Sequence, residues 1–232
     1  MEVIRFFVAS DPRMGAAERA LAHSIAKNTS GPYEITFMRA GDPGWDGGPG
    51  YGSTWNIGRE PGVPYSRQGW ATDFTGFRWA IPELCGFEGR AIYQDVDQLD
   101  LGDMRELWEA PLAGAVKSVG QKTCVMLLDC ARFAQVKGWP ALAAIRGGVS
   151  MYHLRALLGK CREIDGSLPR EWNMPDKWTP DTRVLHFTNM RTQPWKPWPE
   201  FFDYPAHRDE RATRAFWTLH DEAPDDPTLR RN

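Results

Sequence analysis

The chain is poor in cysteine, and what it has follows no metal or disulfide spacing. Cys85, Cys124, Cys130 and Cys161 include no CxxC pair, which argues against a cysteine zinc motif and a disulfide framework. Small buried thiols in a reducing compartment fit best. An excess of charge of one sign is missing too: 28 basic residues stand against 30 acidic ones, for a net charge of −2. That balance leaves no basic face of the kind nucleic acid requires. The arginines of the last third are interleaved with Asp and Glu, as on a solvated, salt-bridged surface. No apolar run approaches the roughly 18 residues of a membrane span. The opening MEVIRFFVASD passes quickly into a polar turn, so no signal peptide is read and a cytoplasmic protein is expected. Internal repeats, low-complexity tracts and the GK[ST] of a P-loop are absent as well.

What is present suits one α/β domain. The 232 residues are 42% hydrophobic and 25% charged, an ordinary globular balance and enough chain for a sizeable core. Val3 to Ala9 is a compact apolar run that reads as a buried first strand, and Ala16 to Ala26 carries a helical period with Leu21 and Ile25 on one face. Asn28 to Pro32 is a turn, and Tyr33 to Met38 a second strand. Strand, helix, strand at this spacing implies a parallel start. Gly41 to Gly69, rich in Gly, Pro, Trp and Tyr, reads as one long loop of the kind that often serves function. Thr72 to Leu84 reads as a helix, Arg90 to Tyr93 as a short buried strand, and Met104 to Trp108 as a helix capped by Asp103. Strands are expected over Val116 to Val119, Cys124 to Asp129 and Val184 to Phe187. Helices are expected over Met151 to Leu158 and His207 to His220. Residues 1–205 thus form the main domain, and residues 206–232 a C-terminal helix and polar tail.

The eleven tryptophans sit mostly beside Gly and Pro. They read equally as pins for irregular segments and as stacking surfaces for sugar rings.

Asp95-Val96-Asp97 is the motif that carries chemistry. Ligands of open α/β sheets bind beyond the carboxyl ends of the strands, and the strand ending at Tyr93 delivers two acids there. Two carboxylates one residue apart can share a hard divalent cation that keeps places for substrate phosphates. A bare DxD is also what an acidic surface turn looks like, so its context decides.

That context is FRWAIPEL (Phe77 to Leu84), GRAIYQDVDQL (Gly89 to Leu99), DMRELW (Asp103 to Trp108) and, near the end, LHFTNMRTQPWKPW. In this order the segments resemble glycosyltransferase family 8, with its RF-IPEL helix, AIYLDxD strand, DIxELW helix and HFxGxxKPW segment. The opening FFVASD and the later SIAKNTS are similar to the family's first strand and helix. The resemblance implies a GT-A fold, Rossmann-like, with a mostly parallel central sheet flanked by helices. It also implies a UDP-sugar donor, a Mn2+ (or Mg2+) ion and retention at the anomeric carbon. Residue by residue it implies Asp95, Asp97 and His186 as metal ligands, with Asp95 shared with the donor ribose, and Arg78 reaching donor phosphate or sugar. Ala9, Ser10 and Asp11 would seat the base. Tyr93, Val96, Asp129, Gln193 and Lys196 would complete the donor site.

The chain departs from the family at three places. Gln193-Pro194-Trp195 and Lys196-Pro197-Trp198 both fit the KPW position, so the phosphate-binding lysine is Lys196 at best. The family's NSGV or NAGV is here Lys122-Thr123-Cys124-Val125, which places Lys122 where a sugar-contacting Asn would stand. The family's DQD is missing from SMYHLRALL, where His153 is the substitute on offer, although LPREWN (Leu168 to Asn173) does match a family element. Two other readings stay open. One is a sugar-nucleotide-binding protein without transferase chemistry. The other is a nucleotidyltransferase using ASDPRMGAAER as its phosphate loop, against which the HFTNMRTQPWKPW segment argues. The acceptor, whether carbohydrate, lipid-linked group or protein, and the oligomeric state are not legible.

Overall fold

The computed structural model describes residues 1–39, 74–146, 149 and 151–225. The expected loop Gly41 to Gly69 lies outside the described residues. In chain order the elements are β1 (Ile4–Ser10), α1 (Gly15–Lys27), β2 (Tyr33–Arg39), α2 (Ile81–Leu84), β3 (Arg90–Asp95), β4 (Gln98–Asp100), α3 (Met104–Trp108), β5 (Val116–Lys117), β6 (Val125–Asp129), α4 (Cys130–Phe133), α5 (Leu142–Arg146), α6 (Met151–Lys160), β7 (Ile164–Asp165), β8 (Met174–Pro175), β9 (Val184–His186) and α7 (Glu210–Glu222). No helix among the described residues is long and apolar enough to cross a membrane.

The central sheet has six strands in the order β2-β1-β3-β6-β5-β7. β1 is flanked by β2 and β3, both parallel to it. β6 runs antiparallel to β3 and to β5, while β5 and β7 are parallel. This is the α/β architecture expected, a mostly parallel sheet flanked by helices. β1 is an apolar run because it is central: Ile4, Phe6, Val8 and Ala9 are fully buried. Two covered faces remove the apolar–polar alternation of a half-exposed strand.

α1 turns Ala17, Ala20, Leu21, Ser24 and Ile25 inward, at the spacing of one helical face. Its buried Glu18 meets Arg39 at the end of β2, whose Nε donates to both carboxylate oxygens at 3.0 Å. That bidentate pair fastens helix to sheet. α7 lies against α1. Arg19 Nε donates to the His220 carbonyl at 3.0 Å, Lys27 pairs with Glu222 at 2.7 Å, and Phe216 stacks on Trp195 at 4.9 Å between ring centroids.

The expected helix Thr72 to Leu84 is two shorter turns where it is described, a 3-10 segment Thr75–Ala80 and then α2. Every residue from Phe74 to Pro82 is buried, so packing on all sides, not an amphipathic period, sets its course. Pro82 adds no N–H to a continuing ladder and instead opens α2. A three-stranded sheet, β4-β9-β8, is absent from the sequence reading except for β9. Its strands of two and three residues are too short to show a period.

Candidate functional site

β3 and the second sheet together build the site. Asp95 is the last residue of β3, and its N–H donates to the Cys124 carbonyl at 3.0 Å. Val96 is buried, Asp97 follows, and the chain immediately enters β4. There Gln98 pairs with His186 of β9, and the Phe187 N–H donates to the Asp97 carbonyl at 2.9 Å. That pairing brings a histidine from far down the chain to the second acid. His186 Nε2 stands 3.2 Å from Asp97 Oδ1.

His186 is oriented from behind. Its Nδ1 lies 2.8 Å from Asn173 Oδ1. A carbonyl-type acceptor there keeps a proton on Nδ1 and leaves Nε2 facing Asp97. Burial by itself lowers the pKa of His186. The Asp97 carboxylate, helped by Asp95 and Asp176, more than offsets it, so the imidazole titrates above its ordinary 6.5.

Asp95 is held differently. Its Oδ1 accepts from Arg78 Nη2 at 2.7 Å and from Tyr93 Oη at 2.5 Å. The Arg78 guanidinium lies over the Tyr93 ring at 4.6 Å and also donates to the Thr75 carbonyl at 2.8 Å and to Thr123. Burial acts to lower the pKa of Arg78, but Asp95 and Tyr93 hold it above the ordinary value, so the guanidinium is always charged. Burial raises the pKa of the Tyr93 phenol, which stays protonated and donates. Arg78 is only 5% exposed. The residue expected to reach the donor is placed first as a clamp on Asp95.

These groups line a cavity of about 350 Å³. Arg78, Asp95, Val96, Asp97, His186 and Gln193 all face it, as do Lys122, Thr123 and Cys124 from the approach to β6 and Arg155 from α6. Gln193 Nε2 bridges Asp97 Oδ2 at 3.1 Å and the Phe187 carbonyl at 2.9 Å. It is therefore Gln193-Pro194-Trp195 that meets the DxD. Trp195 packs edge-on to Phe187, and Lys196, with φ at 49°, faces a neighbouring cavity.

Several expected site residues stand elsewhere. Asp129 is at the opposite end of the sheet: β6 is antiparallel to β3, so Asp129 pairs with Arg90, while Val125 pairs with Gln94 near the DxD. Asp129 caps α4 instead, accepting from the Arg132 N–H at 3.1 Å. Ala9 and Ser10 are fully buried at the end of β1. Asp11 caps a short 3-10 turn through the Arg13 N–H at 2.7 Å. Met14 from that turn, not Asp11, lines the described cavity. His153 is exposed on α6, and Arg155, two residues on, takes the place at the cavity wall. Asn173, Cys124 and Arg155 are the site residues that sequence reasoning missed. Asn173 had a signal, since it closes the LPREWN element.

The donor set fits a divalent cation. Asp97 Oδ1 is buried without an aligned hydrogen-bond donor, and an oriented imidazole nitrogen faces it. The ligand atoms of Asp95, Cys124 and His186 lie within 4.8 Å of one another.

No family model matches the chain. Protein CDI of Arabidopsis thaliana is 25% identical over 224 residues, which cover 82% of this chain and 79% of that protein. The apo WbbM bifunctional glycosyltransferase superposes with a TM-score of 0.64 at 12% identity, over 96% of this chain and 50% of that one. This chain therefore spans half of that structure. The galactosyltransferase LgtC, solved with donor and acceptor sugar analogs, gives 0.61 at 13% identity and covers 97% and 98% of the two chains. GlyE of Streptococcus pneumoniae gives 0.59 at 14% identity over 94% of this chain and 60% of its own. At such identities the likeness establishes the fold, and the fold is that of the GT-A glycosyltransferases.

Proposed function

We propose that this chain is a divergent family 8 glycosyltransferase that moves a hexose from a UDP-sugar to an acceptor hydroxyl with retention of configuration. The observation that carries this reading is the Asp97–His186 pair. A buried carboxylate oxygen and an oriented imidazole nitrogen, 3.2 Å apart at the carboxyl end of β3, open on a cavity that Arg78, Lys122 and Arg155 also line.

In this reading Asp95, Asp97 and His186 hold a divalent cation of the Mn2+ or Mg2+ type, which when bound supplies positive charge against the leaving diphosphate. The chain's own groups do the rest. Arg78 and Tyr93 fix Asp95. Gln193 fixes Asp97. The charged Arg78, Lys122 and Arg155 raise the positive potential where leaving-group charge develops. Ala9, Ser10 and Asp11 flank the base side, and Lys196 closes on the donor from the adjoining cavity. The carboxylates lining the described cavity are Asp95 and Asp97, both already bonded to the protein. An acceptor hydroxyl attacking on the face that the diphosphate leaves is therefore preferred to a covalent intermediate.

The test is donor turnover across a panel of UDP-sugars with Mn2+, monitored as UDP release. Asp97→Ala should abolish metal-dependent release. Full activity in that variant would sink the metal assignment. Donor binding without any release would favour the sugar-nucleotide-binding alternative.

A further inference from the structure

Resting on that reading, we propose that Cys124 is a further ligand of the metal site and that its sulfur tunes the site toward a thiophilic divalent ion such as Zn2+. Cys124 Sγ, a carboxylate oxygen of Asp95 and a ring nitrogen of His186 lie within 4.8 Å of one another. Tetrahedral ligands at bond lengths of about 2.0–2.3 Å stand about 3.3–3.8 Å apart, so side-chain movements of about an ångström close the group. Asp97 stands beside it, 3.2 Å from His186 Nε2. Two carboxylates, an imidazole and a thiol make a four-ligand set of the kind zinc accepts.

The sulfur is where it is for a backbone reason. The Cys124 carbonyl accepts from the Asp95 N–H at 3.0 Å and from Gln98 Nε2 at 3.1 Å. The residue is thus clamped to the turn that carries both acids and cannot drift from them. Its segment, Lys122-Thr123-Cys124-Val125, is one where the chain leaves the pattern of the family it resembles. When the ion binds, an S–metal bond forms, the S–H bond breaks and its proton passes to solvent, as does any proton on His186 Nε2.

The test is titration of the metal-free full-length protein with Co2+, a spectroscopic stand-in for Zn2+. The wild type should develop a thiolate-to-cobalt charge-transfer band in the near ultraviolet. It should saturate at one equivalent and be bleached by Zn2+. Cys124→Ser should lose the band and bind Zn2+ at least about tenfold more weakly by calorimetry, beyond the lower end of what losing an outer-shell partner costs. Cys161→Ser should keep both. Co2+ bound by the wild type without the band overturns the proposal, and so does a band that survives in Cys124→Ser. Failure of the wild type to bind Co2+ or Zn2+ overturns it as well. Because the wild-type spectrum is itself decisive, poor folding of a variant does not shelter the idea. UDP-sugar binding with Mn2+, measured on the same samples, reports separately on the transferase reading, which stands if only the sulfur assignment fails.

Discussion

Asp100 offers a sharp test of the electrostatics beneath the site. It lies in β4, fully buried between α1 and β3. Its N–H donates to Ser24 Oγ at 2.9 Å, its carbonyl accepts from Asn28 Nδ2 at 2.9 Å, and its Oδ1 accepts from Gln94 Nε2 at 2.6 Å. Its Oδ2 has no partner, and neither has Gln94 Oε1 on the amide already bonded to it. A protonated carboxyl offers a donor to that amide, while a carboxylate offers none. Burial accordingly pushes the Asp100 pKa up from 3.8 to about 7, the Gln94 hydrogen bond pulling only weakly the other way.

The sign follows from proton counts. Between the two values the folded state holds a proton that the unfolded state has lost. Stability is therefore full below about pH 4 and falls as pH rises toward 7. At about 1.4 kcal/mol per pH unit, the loss is on the order of 4 kcal/mol. Asp100→Asn keeps the size and the acceptor for Gln94 but cannot ionise. The variant should be less sensitive to pH across this window, and at pH 8 it should be more stable than the wild type by up to about 4 kcal/mol. His186, whose pKa is also raised, contributes equally to both proteins and cancels in the difference. The measurement is urea unfolding of both at intervals from pH 4.5 to 8, read as midpoint and slope. Parallel pH profiles for the two proteins would refute the argument, because they would mean that Asp100 ionises as freely inside as outside.

Three further outcomes follow from the packing and the site. Asn173→Ala removes the group that fixes the His186 tautomer; divalent-ion affinity measured by calorimetry should fall about 10- to 100-fold, with the fold retained by circular dichroism. Arg78→Met leaves the partly buried Asp95 beside Tyr93 without its countercharge, and unfolding free energy should drop by up to about 3 kcal/mol; an unchanged urea midpoint would show that Asp95 is compensated elsewhere. Phe216→Ala empties the space between Trp195 and Phe187, whose rings lie 4.9 and 5.8 Å from that of Phe216. It should cost about 3–5 kcal/mol, and a loss below about 1 kcal/mol would mean that α7 is not part of the cooperative core.

How far the sequence could be read depended on the range of the interaction. β1, α1, β2 and α3 follow from local patterns, namely an apolar run, a helical face or an Asp cap, and the structure places them within a residue or two of expectation. β3 runs two residues further than its apolar run because Gln94 and Asp95 are held by β6 and Cys124, partners no local pattern names. β4, β7 and β8 exist only through pairing with distant strands. The direction of β6 was equally hidden. Alternation and apolar content are the same whichever way a strand runs, so no local pattern shows that Asp129 pairs with Arg90, away from the DxD. The site shows the same division. Asp95, Asp97 and His186 were legible through a motif and a resemblance. Cys124, Asn173 and Arg155 join the site only when β3, β9 and α6 converge.

The hydrogen bonds around the two acids bear on what the DxD is for. In a surface turn, water would solvate both oxygens of each carboxylate. In a structural ion-pair network, protein donors would satisfy both. Here the bonds from Arg78, Tyr93 and Gln193 fall on one oxygen of each: Oδ1 of Asp95 takes Arg78 and Tyr93, and Oδ2 of Asp97 takes Gln193. Oδ1 of Asp97 is left buried, 3.2 Å from His186 Nε2, on a ring that Asn173 orients from its far side. With the imidazole neutral, that oxygen has no donor, which costs about 1–3 kcal/mol. A bound cation removes that cost by giving the oxygen and the nitrogen a common partner. The uneven distribution of donors therefore supports a metal site whose ligands are fixed before the ion arrives.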